Sequence, residues 1–229
     1  MISNINAKTE IANKQEAECS EKKAFLEVQN KEITIKKAEA DHELSAAQPI
    51  IEKAQAALND ISQKDISELK AVATPSDAVL KVCQIAYYLY VPGREQKGDD
   101  WSVLKVKLLG DMQLLNGLKN FDITEVKPDM SKKAKAAIRQ LKASLNNVEG
   151  DQLRTELKKK SLAGAGLFQW AASTDEYYDI FRMVEPKKKL AESMQKAKDE
   201  AEAQLAVTLA ALQEVTEQLK QLNAEQKKK

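Results

Sequence analysis

Histidine, cysteine and paired acids are the side chains most able to do chemistry, and here they are sparse. The 229 residues hold one histidine, His42, and two cysteines, Cys19 and Cys83. His42 has no nucleophile beside it, and the cysteines are too far apart for a CxxC or metal-ligand spacing. The pattern fits a reducing compartment and argues against a His/Cys metal centre. Asp99-Asp100 and Asp175-Glu176 read as solvated helix caps. No phosphate-cradling GxxxxGK[ST] loop, GxGxxG turn or HExxH pair occurs. Gly164-Ala165-Gly166 lacks both a preceding strand and a following Lys-Ser/Thr, so a close helix contact or a cap is expected there. No catalytic, cofactor or metal residue is assigned.

Charge is more informative locally than in bulk. With 36 Lys+Arg against 35 Asp+Glu the formal charge is +1, which gives no general attraction to nucleic acid or an anionic membrane. The basic residues nonetheless cluster: Lys158-Lys159-Lys160 with Arg154, Lys132-Lys133-Lys135 with Arg139, and Lys105 with Lys107. Each cluster alone is an ordinary solvated helix face. Together they offer a nearly neutral chain a positive face toward an acidic partner. No stretch approaches the ~20 apolar residues of a membrane span, and MISNINAKTEIANKQEAE lacks the basic start and apolar core of a signal peptide. A soluble, intracellular protein is expected.

The elements that must position these residues follow from composition. All seven glycines lie between Gly93 and Gly166, and every aromatic except Phe25 lies between Tyr87 and Phe181. That stretch has the residues for turns and a core, whereas the flanks are rich in Ala, Glu, Lys and Gln, which favour helix. The first flank carries a seam, Leu44, Ala47, Ile51, Ala54, Leu58 and Ile61, alternating three and four residues as coiled-coil positions do. Traced backward, it passes Ala40, Lys37, Ile33, Asn30 and Leu26, while Phe25, Val28 and Ile35 form a second, rotated stripe. The second flank runs Leu190, Met194, Ala197, Ala201, Leu205, Leu209, Leu212, Leu219 and Leu222. From Ala201 through Leu205 and Leu209 to Leu212 it takes an eleven-residue step that interrupts the heptad. Pro49 is expected to kink the first flank, since it lacks a backbone donor and its ring crowds the carbonyl four residues earlier.

The fold expected is all-α: a long antiparallel coiled-coil hairpin capped by a small helical-bundle head. Its parts are a first coiled-coil helix at 1–60, a globular head at 61–185 and a second coiled-coil helix at 186–229. Within the head, helices are expected at 76–91, from Trp101, and at 131–147, 151–162 and 165–185, with caps at Ser76 or Asp77, at Asp100, and at Asp129 or Ser131. VPGREQKGDD reads as a loop. Trp101, Trp170, Phe168 and Tyr87 are expected in the core.

The words that carry a resemblance are AAQPIIEKAQAALNDISQKDISELKAVATPSDAVLKV, then DDW at 99–101, KKSLAGAGLFQW at 159–170 and YYDIFRMVEPKKK at 177–189. In this order the chain resembles the stalk and microtubule-binding domain of dynein heavy chains, and GAGLFQW is closer to axonemal than to cytoplasmic members. The resemblance covers essentially the whole chain. It implies a non-catalytic segment of a large motor whose ATPase ring lies outside this sequence, with no cofactor of its own. It further implies tubulin in microtubules, the rest of the heavy chain and an axonemal light chain as partners, in the cytoskeleton of a cilium or flagellum. The family binds tubulin with the first, third and last head helices. By position this points to Lys64, Lys70, Lys105, Lys107, Arg154, Lys158, Lys159 and Lys160. Ser62 and Gln63 stand where cytoplasmic relatives have basic residues, and Gly110 near a basic position of their third helix, so a less charged interface is expected. The stretch between Val91 and Trp101 leaves no room for a long hairpin insertion. The resemblance also implies that register along the coiled coil carries information. Composition alone leaves two other readings open, a structural coiled-coil spacer and an adaptor whose head binds another protein.

Overall fold

The computed structural model describes residues 2–90 and 98–226, so most of the expected loop before Trp101 lies outside the described residues. Among the described residues there are no strands. The helices are α1 (Ile2–Ala46), α2 (Gln48–Asn59), α3 (Gln63–Ala71), α4 (Asp77–Tyr90), α5 (Trp101–Lys107), α6 (Leu114–Lys119), α7 (Pro128–Ser144), α8 (Gly150–Lys160) and α9 (Leu162–Gln226), with a 3₁₀ turn at Ile123–Glu125. The chain divides into two compact units, Met1–His42 with Val184–Lys229, and Glu43–Met183.

The first unit is an antiparallel pair of helices with a heptad seam. In α1 every seventh residue is buried: Ile5, Ala12, Cys19, Leu26, Ile33 and Ala40. In α9 the same spacing buries Val184, Ala191, Leu205, Leu212 and Leu219, and Lys198 takes the intervening place with its side chain 12% exposed. Ile5 and Ala12 cluster with Leu212 and Leu219, and Cys19 and Leu26 with Leu205, which fixes the opposed chain directions. At the edges Lys8 donates to Gln218 (3.3 Å), Lys37 donates to Gln195 (3.1 Å), and Lys188 pairs with Asp41 (3.0 Å). A coiled coil normally buries two apolar positions per heptad. On α1 the companion positions Lys8, Gln15, Gln29 and Lys36 are polar and half-buried, so that helix's side of the seam is thin, while Leu209, Val215 and Leu222 of α9 pack against it.

Two expectations about this seam are corrected. Asn30 and Lys37 are exposed, because the buried row advances by whole heptads and never reaches them. Ala201 is also exposed, so the seam does not pass through it; Leu209 is half-buried against Cys19, Leu26 and Leu205, and Lys198, with its side chain 12% exposed, holds the heptad place. The stripe of Phe25, Val28 and Ile35 faces solvent, at 63%, 62% and 57% exposure.

Between α1 and α2 the helix breaks at Ala47. Pro49 occupies the first turn of α2, where a missing N–H costs nothing. The chain passes through two three-residue bonds, Ala47 N–H to the Leu44 carbonyl (3.1 Å) and Ile50 N–H to the Ala47 carbonyl (3.0 Å).

The second unit is built around α4, whose residues Val82 to Leu89 are all buried. Ser76 starts this helix by accepting from the Val79 N–H (3.4 Å), and burial pushes the Cys83 thiol up to about 12. Tyr90, Phe121 and Trp170 form a tilted and edge-on aromatic group with centroids 5.6–6.4 Å apart. The Trp170 Nε1 donates to the Leu118 carbonyl at 3.0 Å, which resolves the polar end of a buried indole. Gly117 is required beside them, since a Cβ there would collide with the Tyr90 hydroxyl. Trp170, Phe168 and Tyr87 are buried as expected, but Trp101 is only partly so.

Two boundaries also differ from expectation. Helix α7 starts at Pro128 with Lys127 as its N-cap, and Ser131, expected as a cap, lies inside it and donates to Asp175 (2.9 Å). Proline's fixed φ suits the first helical position, so the helix begins there without a side-chain cap. The last head helix continues as α9 through Pro186.

Buried Asp175 also accepts from Lys135 (2.7 Å), whose ammonium reaches Asp179 as well (2.7 Å) and ties α7 to α9. Burial alone would lower the Lys135 pKa, but the hydrogen bonds and charges of the two aspartates outweigh it and hold it above the ordinary lysine range.

Replacing Trp170 by Ala should cost about 3–5 kcal/mol in chemical denaturation, by loss of a buried ring and its cavity. Lys135→Met, which strands the Asp175 carboxylate, should cost ~3 kcal/mol at neutral pH. Because the folded state holds the Lys135 proton more tightly, its contribution is complete below the unfolded value of ~10.4 and is lost as pH rises through the folded value. The stability gap between the wild type and Lys135→Met should therefore narrow at strongly alkaline pH.

Candidate functional site

The second unit brings three helices with basic residues together. Ser62 opens α3 with a capping box: its hydroxyl accepts from the Asp65 N–H (3.3 Å), and its N–H donates to the Asp65 carboxylate (2.8 Å). The hydroxyl and N–H of Ser62 hold that carboxyl below its usual range. Asp100 caps α5 by accepting from Ser102 and Val103 (2.9 and 3.1 Å), and the Ser102 hydroxyl and these N–H groups likewise lower its pKa. Between α8 and α9, Ser161 accepts from the Gly164 N–H (2.9 Å).

Two contacts join these helices. The Trp101 indole at the start of α5 donates to the Val72 carbonyl at the end of α3 (2.9 Å). Arg154 of α8 donates to Asp60, just before α3 (3.1 Å). A cleft of about 390 Å³ lies between α3 and the α8–α9 junction, lined by Asp65, Glu68, Leu69 and Val79 on one side and Lys160 and Leu162 on the other.

The basic residues expected at the site divide by their surroundings. Lys64 is exposed and pairs with Glu68 (3.7 Å), Lys159 is exposed and bonded to Glu156 (2.6 Å), and Arg154 is half-buried against Asp60. The Arg154 Nε is buried without a hydrogen-bond partner, so the guanidinium is held by packing as well as charge. Lys105 is half-buried with its ammonium 5.7 Å from the centre of the Trp101 ring. Lys70, Lys107, Lys158 and Lys160 are exposed and have no ion pair among the described residues. The cluster on α7 differs in kind: Lys135 is committed to Asp175 and Asp179, and Lys133 lies 5.8 Å from the Tyr88 ring centre.

The sequence reading missed the acids interleaved with these lysines. Glu68 and Glu156 were visible at helical spacing, four residues from Lys64 and three from Lys159, but Asp60 meets Arg154 only in the fold. It also missed two exposed apolar residues, Val106 between the α5 lysines in sequence at 68% and Met112 after α5 at 77%. His42 is exposed, both cysteines are buried and free, and among the described residues no cluster of His, Cys, Asp or Glu has the arrangement of a metal site.

A family model described as the microtubule-binding stalk of dynein motor matches residues 1–229. The chain belongs to this dynein stalk family. Its relatives include the ciliary dynein beta chain of Tripneustes gratilla, 29% identical over 204 residues that make up 89% of this chain and 4% of that protein. Dynein axonemal heavy chain 17 of Mus musculus is 28% identical over 207 residues, 90% of this chain and 4% of the relative. The flagellar outer-arm dynein beta chain of Chlamydomonas reinhardtii is 30% identical over 164 residues, 69% of this chain and 3% of that one. The dynein stalk chain thus spans about 4% of the length of the curated relatives it matches.

Charge reversal on this surface should leave the fold alone. Lys70→Glu and Lys159→Glu should each change stability by at most ~1 kcal/mol, the range for exposed pairs, with an unaltered helical circular-dichroism spectrum.

Proposed function

We propose that this segment binds tubulin through the face formed by α3, α5 and α8, within a dynein heavy chain whose ATPase ring lies elsewhere. The observation that carries the reading is the joining of these three helices while Lys70, Lys107, Lys158 and Lys160 are exposed and have no ion pair among the described residues. Lys64, Lys105, Arg154 and Lys159 complete the face, with charges already shared with neighbours. Tubulin's surface is acidic, so unpaired ammonium groups steer encounter and orient docking. The names of the relatives support an axonemal setting, in a cilium or flagellum; an axonemal light chain is proposed as a further partner. The functional division proposed is 1–60 and 186–229 as the stalk helices and 61–185 as the microtubule-binding part.

We further propose that affinity is set by the register of the coiled coil. The thin seam through Leu26, Ile33 and Ala40 is matched by an unused stripe of Phe25, Val28 and Ile35 on the same helix. Exchanging one stripe for the other buries a comparable apolar area, which makes two registers close in energy. Tubulin shifts their populations only by binding one better than the other.

In microtubule co-pelleting, Lys70→Glu or Lys159→Glu should weaken binding roughly fivefold, from ~1 kcal/mol per lost contact. Added salt should weaken the wild type, since screening acts over ~8 Å at physiological strength. Disulfides that lock α1 and α9 half a heptad apart should give two different affinities; equal affinities with both crosslinks verified would leave the coiled coil a passive spacer.

A further inference from the structure

Trp101 differs from Trp170, the other tryptophan of its unit. Trp170 is 2% exposed and lies in the aromatic group, whereas Trp101 is only partly buried at the first position of α5. Its Nε1 donates to the carbonyl of Val72 at 2.9 Å. Val72 is the C-cap of α3 with φ −59° and ψ 123°, so the chain has already left helical geometry and turns this carbonyl outward. Along α5, one turn from Trp101, the Lys105 ammonium lies 5.7 Å from the centre of the same ring. One side chain therefore ties the start of α5 to the end of α3 by its edge and holds a lysine by its face.

The two contacts use different properties of the residue. The indole N–H is a donor that phenylalanine lacks, and the aromatic face attracts an ammonium that an aliphatic side chain does not. A lysine confined to a ring face reaches a partner with less loss of rotamer freedom than one free in solvent.

We propose that Trp101 is a positioning residue of the tubulin-binding face: it sets α5 against α3 and aims Lys105 at the partner. This rests on the reading that α3, α5 and α8 bind tubulin. The ring acts through Lys105, and its hydrogen bond acts through the placement of α5.

A double-mutant cycle on the 229-residue chain tests this by co-pelleting at low salt. Lys105→Ala and Lys159→Ala are each made in the wild type, in Trp101→Phe and in Trp101→Leu, and helicity is checked for every variant. In the wild type Lys105→Ala should weaken binding about two- to fivefold, the value of an exposed cation–aromatic contact converted to affinity. In Trp101→Leu the same change should cause almost no further loss, and in Trp101→Phe an intermediate one. Lys159→Ala, on α8, should cost the same factor in all three backgrounds. A merely structural tryptophan would lower both lysine effects together or neither. If Lys105→Ala costs as much in Trp101→Leu as in the wild type while Lys159 still counts, the proposal is overturned and the tubulin reading stands. If neither lysine matters in the wild type, the tubulin reading fails and the proposal falls with it. Should Trp101→Leu not fold, the Phe background decides, because an undiminished Lys105 effect there excludes any dependence on the indole's placement.

Discussion

At Gly166 the backbone of α9 lies against the Ile61 side chain and the Ala57 carbonyl, leaving no room for a Cβ. That close approach is the constraint on which the second unit is arranged. With the end of α2 pressed on α9, Ile61 and Leu58 are buried and Ser62 falls where it can open α3. Three residues before α3, Asp60 meets Arg154 of α8. A larger residue at 166 would push on backbone and on a branched side chain, neither of which yields cheaply. The position of α3 relative to α8 is thus a consequence of packing, and the charges on those helices are placed by it.

Against this packed unit the coiled coil is lightly made. On α1 one apolar residue per heptad, several of them alanine, buries little area at each turn, with Gln15, Gln29 and Lys36 as polar companions, while α9 adds the half-buried Leu209, Val215 and Leu222. Burial contributes about 25 cal/mol per Å², so a seam with alanine at Ala12, Ala40 and Ala191 is weaker per turn than one of leucine. A weak, repetitive seam has less energy at stake when it shifts than a jigsaw core does.

The proposed binding face shows a similar economy of charge. Lys64, Arg154 and Lys159 already have acidic neighbours, so part of the positive field is cancelled within the protein. The remainder is carried by exposed lysines on flexible stems.

The sequence by itself determined the helical character of both units, because glycines and aromatics are confined to one stretch and helix formers fill the rest. It determined the caps at Ser76 and Asp100, which are local hydrogen bonds between residues two or three apart. It also determined the stripe of Leu26, Ile33 and Ala40, since a seven-residue repeat is written in order along one helix. Which of two stripes is buried, and that Lys198 rather than Ala201 keeps the heptad of α9, was decided by the opposing helix. That Ser131 binds Asp175 rather than capping α7, and that Asp60 neutralises Arg154, depended on helices 44 and 94 residues apart in sequence. Trp101 shows the same division. Its type and place at a helix start were legible, but its joining of two helices was not, because a hydrogen bond to a distant backbone carbonyl leaves no mark on residue identity.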